Sequence, residues 1–81
     1  MQIEILMFAA AREAAGSEKI HVDVVDGSTA SDVIEAIGHV LPEIADLLPA
    51  CRLAIDNCYV SHDAAVSQNS EVALIPPVSG G

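Results

Sequence analysis

The chain has almost no aromatic residues: no tryptophan, one phenylalanine (Phe8) and one tyrosine (Tyr59). A core built from this sequence must therefore be aliphatic. Bases are equally scarce, with Arg12, Lys19 and Arg52 facing twelve acids for a net charge of −9. Such a balance repels phosphate backbones and anionic lipid, which argues against nucleic acid and membrane partners. It suits plain solubility, or steering toward a partner with a basic face. The apolar run from Ile5 to Ala11 falls well short of the ~18 residues of a membrane span. The run also lacks the basic flank of a secretory signal, with Glu4 in front of it. These features predict a cytoplasmic protein. The two cysteines, Cys51 and Cys58, form no CxxC pair and have no histidine at metal-ligand spacing, so packed, reduced thiols are expected and no metal site.

What remains is rich in aliphatic side chains, at 52% apolar residues in 81 positions, enough for one modest core. "QIEILMF" (residues 2–8) is apolar on both parities, with Ile3, Ile5 and Met7 on one side and Leu6 and Phe8 on the other. That pattern predicts a central strand. "AAAREAA" favours a short helix that Gly16 ends in the left-handed conformation. "EKIHVDVV" alternates, turning Ile20, Val22 and Val24 inward. Ser28 or Thr29 opens the main helix, with Asp32 in its first turn. Pro42 breaks that helix near 38–41 and starts a second short piece, which Pro49 ends. "RLAID" and "CYV" read as short strands about an Asp56-Asn57 turn, and residues 71–75 as the last strand. The first and last strands are expected to be parallel central neighbours. The fold class is α+β: one mixed sheet with the main helix packed on one face.

The sequence given closes on "EVALIPPVSGG". Pro76 and Pro77 offer no N–H, so they stop the ladder and stiffen the exit. Val78 to Gly81 then project roughly 13 Å beyond the prolines. Gly80 and Gly81 have no Cβ and fit a channel too narrow for other residues. The expected division is a domain at 1–77 and a flexible tail at 78–81, offering the Gly81 α-carboxylate to another protein.

Two blocks extend this reading. "FAAAREAAG" (Phe8–Gly16) and "EVALIPPVSGG" (Glu71–Gly81) resemble the small, sulfur-carrier subunits of molybdopterin synthase, a ubiquitin-like family with the β-grasp fold. The chain departs from that family's usual Asp-Gly-Asp turn, with Gln68-Asn69-Ser70 in its place. The resemblance implies that Gly81 is adenylated with ATP by a separate ubiquitin-activating-like adenylyltransferase. The terminus then becomes a thiocarboxylate, and its sulfur goes to a cyclic pyranopterin precursor in the synthase large subunit, in molybdenum cofactor biosynthesis. It also implies a heterotetramer around a large-subunit dimer, no cofactor bound by this chain, and no catalysis by the chain alone.

By the same resemblance Phe8 and Ile75, joined by Tyr59, form an apolar docking face. Arg12, Pro76, Pro77, Val78 and Ser79 contact partners, and Gly80 gives access for Gly81. The other functions consistent with the sequence are a sulfur carrier of the thiazole (thiamine) pathway, a ubiquitin-like protein modifier, and an interaction module with a dispensable tail. His21, His39 and the His62-Asp63 pair lack a nucleophile beside them and are read as bystanders.

Overall fold

A computed structural model describes residues 1–76 of the chain. Its elements are β1 (Gln2–Met7), α1 (Ala9–Ala15), β2 (Lys19–Asp23), α2 (Ala30–Val40), β3 (Arg52–Ile55), β4 (Cys58–Tyr59) and β5 (Val72–Ile75). Two 3-10 turns, Pro42–Ile44 and Leu48–Ala50, lie between α2 and β3. The five strands form one mixed sheet in the order β2-β1-β5-β3-β4. β1 and β5 run parallel at its centre, as the two-sided apolar pattern predicts, and the other pairings are antiparallel.

Strand parity decides what enters the core. Ile3, Ile5 and Met7 of β1, Val22 of β2, Leu53 of β3, and Val72 and Leu74 of β5 are all buried on one face. Val33 and Ile37 of α2 join them in a single cluster, closed by Ala11 of α1 and by Ile44 and Leu48 of the 3-10 turns. Each fully buried aliphatic side chain contributes about 1.5–3 kcal/mol, so a cluster of this size suffices without aromatics.

Local chemistry fixes the ends of the elements. Thr29 and Asp32 form a reciprocal capping box: the Asp32 N–H donates to Thr29 Oγ1 at 3.3 Å, and the Thr29 N–H donates to Asp32 Oδ2 at 2.9 Å. At the far end α2 stops at Val40, one residue before the Leu41 cap and two before Pro42. The segment after Pro42 is two 3-10 turns rather than one short helix, and Pro49 sits inside the second turn instead of ending the first. Proline suits the start of such turns because no intrahelical donor is required there. Gly16 adopts φ 69°, and its N–H closes on the Arg12 carbonyl. The hairpin between β3 and β4 turns on Asp56 and Asn57, both at positive φ (51° and 70°), the two-residue turn that matches strand twist.

One thiol departs from expectation. Cys51 is buried, but Cys58 is exposed, on a two-residue strand at the edge of the sheet. The cysteines are free, not paired.

Candidate docking face

The strand residues of opposite parity line the other side of the sheet. Leu6 pairs with Ala73 across β1 and β5, Ala73 with Ala54 across β5 and β3, and Ala54 with Tyr59 across β3 and β4. Together with Phe8 and Ile75 they line a groove of about 230 Å³. Phe8 is 44% exposed and Tyr59 58%, so both aromatic rings of the chain stand on the side that the helices leave open. Asn57 and Glu71 complete the lining. Large apolar side chains clustered on an uncovered face mark an interaction surface.

Phe8 owes its place to the strand-to-helix corner. It is the N-cap of α1 in extended geometry (φ −129°, ψ 152°) and has no capping side chain. Its carbonyl accepts from the N–H groups of Ala11 and Arg12 at 3.1 and 3.3 Å. The next residue, Ala9, takes φ 51°, a left-handed conformation unusual for alanine. This corner separates Met7, buried at 2% exposure, from Phe8.

Beside the groove, Arg52 opens β3 opposite Ile75 of β5. Its guanidinium carbon lies 4.7 Å from the centre of the Tyr59 ring, within cation–π range. Arg12 lies on exposed α1 and Ile75 is half-buried at the end of β5. Pro76 is buried, and among the described residues the groove lining ends at Ile75. Pro77, Val78, Ser79, Gly80 and Gly81 lie outside the described residues, as does the boundary expected between 77 and 78.

The histidines are exposed and scattered over the chain. His21 Nε2 lies 3.2 Å from Glu4 Oε2, beside a Lys19–Glu4 pair at 3.7 Å. His39 is 4.0 Å from Glu35, one turn away on α2. The His62 carbonyl accepts from the Ser31 N–H at 2.8 Å. Among the described residues, no three His, Cys, Asp or Glu side chains gather where a metal ion could sit. No helix among them is long and apolar enough to cross a membrane.

Sequence reasoning singled out Phe8, Tyr59 and Ile75 but not the Arg52–Tyr59 stack. The signal was present, because a two-residue turn at 56–57 sets Tyr59 opposite Ala54, one same-face step from Arg52.

Comparison with known proteins agrees with this architecture. The chain is 39% identical to the molybdopterin synthase sulfur carrier subunit of Dictyostelium discoideum, over 99% of this chain and 96% of that one. Among solved structures it is similar to SAMP1 from Haloferax volcanii, with a TM-score of 0.85 and 27% identity over the full length of both chains. The complex of subunits 1 and 2 of the Helicobacter pylori molybdopterin-converting factor holds a chain of the same fold, at a TM-score of 0.68, 18% identity and full coverage of both. The ThiS family matches residues 5–81, nearly the whole sequence, and the chain belongs to that family.

Proposed function

We infer that this chain is the sulfur-carrier subunit of a molybdopterin synthase. The observation that carries the reading is the 39% identity, along nearly its whole length, to the Dictyostelium discoideum subunit of that name. The uncovered groove around Phe8 supports it, since a carrier must dock on the proteins that load and unload it.

Chemically, the Gly81 carboxylate attacks the α-phosphorus of ATP in an activating enzyme, and pyrophosphate leaves. The acyl-adenylate exchanges a poor leaving group for a good one. A sulfur nucleophile then attacks the acyl carbon and expels AMP, leaving a thiocarboxylate. In the large subunit this sulfur passes to the pyranopterin precursor, water restores the carboxylate, and a second cycle completes the dithiolene. The carrier supplies the sulfur and its placement, while the acid–base groups belong to the partner. The chain binds no cofactor of its own, and the assembly is a cytoplasmic heterotetramer with a large-subunit dimer. The H. pylori chain of this fold is likewise found in a two-subunit complex.

Reconstitution tests this reading. The sulfur-loaded chain, a large subunit and the pyranopterin precursor yield the dithiolene product. Deletion of Gly81 abolishes product while leaving the thermal midpoint unchanged. Product formed by the deleted chain refutes the reading.

A second reading, a protein modifier, is favoured by the likeness to SAMP1, the H. volcanii small archaeal modifier protein 1. It predicts isopeptide adducts between Gly81 and lysines of other proteins in cells. Product from the reconstituted synthase without such adducts separates the carrier from the modifier. A carrier of the thiazole pathway would instead support thiazole formation and fail in the synthase assay.

A further inference from the structure

We propose that Arg52, held across the Tyr59 ring, recognises a carboxylate on the protein that docks over the outer groove. The inference rests on the docking reading above and names the chemistry that partner presents. Arg52, Ala54 and Tyr59 share the outer face, and Arg52 borders the groove through its neighbours Ile75 and Tyr59, which line it. Although the chain holds twelve acidic residues, no carboxylate among the described residues lies within 4.0 Å of Arg52. Lys19, by contrast, already has Glu4.

A guanidinium that lies over an aromatic ring still has N–H donors to offer a planar acceptor. The stack also restrains a long side chain, so less freedom is lost when a partner engages it. A protein that covers the groove desolvates this cation, and a covered charge without a counter-ion is costly. The partner must therefore bring an acceptor, and a carboxylate matches the guanidinium fork in two parallel hydrogen bonds. A polyphosphate is disfavoured by the net charge of −9 and by Glu71 in the groove lining. The partner surface is thus basic in the main, to complement this acidic chain, with an isolated Asp or Glu opposite Arg52. That acid fixes orientation on a groove whose apolar floor is permissive. Arginine and tyrosine are also the residue types over-represented where binding energy concentrates.

The test titrates the full chain with the molybdopterin synthase large subunit, using Arg52→Gln, Arg52→Lys and Phe8→Ala, with thermal midpoints as fold controls. Arg52→Gln weakens binding about thirtyfold or more at low salt, the loss expected of a desolvated ion pair, and flattens the salt dependence. Arg52→Lys keeps the charge without the planar stack and loses less. It also places an amine at the site, so zero-length carbodiimide coupling joins position 52 to an Asp or Glu of the large subunit, read by peptide mass spectrometry. If Phe8→Ala weakens binding while Arg52→Gln leaves it unchanged, this inference fails and the docking reading stands. Unchanged binding by both variants overturns the two together. Full-strength binding by Arg52→Lys with no crosslink from position 52 likewise overturns the assignment of a carboxylate.

Discussion

The two faces of the central sheet use the same strands and opposite parities, yet they have different fates. On the inner face Ile5, Val72 and Leu74 are 0% exposed beneath α2 and the 3-10 turns. On the outer face Leu6, Ala73 and Ile75, their immediate neighbours in sequence, are only half-buried, and Phe8 stands open. Hydropathy hardly distinguishes the two sets. The difference is that the main helix of the described residues, α2, covers one side. An apolar face without a cover of its own is suited to one supplied by a partner, so the inner face carries folding and the outer face, on the proposed docking reading, carries assembly.

Substitutions can pull these roles apart. The largest effect belongs to the inner face: Ile37→Ala costs about 3 kcal/mol of folding stability in denaturant titration, through lost burial and a cavity. Partner affinity of the fraction that remains folded does not change. Next comes Phe8→Ala, which weakens the complex by about 2 kcal/mol in calorimetry, as truncating an aromatic anchor does. The midpoint of unfolding should barely move, because Phe8 contributes little to the monomer core. A large loss of stability from Phe8→Ala, or a large loss of affinity from Ile37→Ala, would break the division between faces. A smaller effect follows from Asp32→Ala, which opens the capping box and costs about 1 kcal/mol of stability with no effect on docking.

The cysteines sharpen the contrast at the finest scale. Cys58 alkylates rapidly in the native state, whereas Cys51 reacts only on unfolding. Burial pushes the Cys51 thiol up from its ordinary value of 9.0. The unfolded chain therefore gives up that proton first. Native stability due to this group is intact below the ordinary thiol range and declines as pH rises through and above it. Cys51→Ala flattens this decline in urea midpoints measured across alkaline pH.

Much of this division was legible in the order of residues. Alternation along β1 separated Ile3, Ile5 and Met7 from Leu6 and Phe8, and the structure keeps that separation. Thr29 with Asp32, Gly16 and Pro42 each announced an element end through the hydrogen bonds they make or cannot make. Other features had no such mark. Alanine carries no tendency toward positive φ, so the left-handed Ala9 is imposed by the corner between β1 and α1. The exposure of Cys58 and the burial of Pro76 depend on sheet order and on which strand lies at the edge. Arg52 reads as an ordinary surface cation until pairing brings Tyr59 beneath it.

The intact mass of the full chain, taken after incubation with an activating enzyme, ATP and a sulfur donor, tests the account most directly. The account predicts one oxygen-to-sulfur exchange localised to Gly81 and reversed once large subunit and precursor are added. A mass that never changes, or sulfur found on Cys51 or Cys58 in place of the terminus, would contradict it.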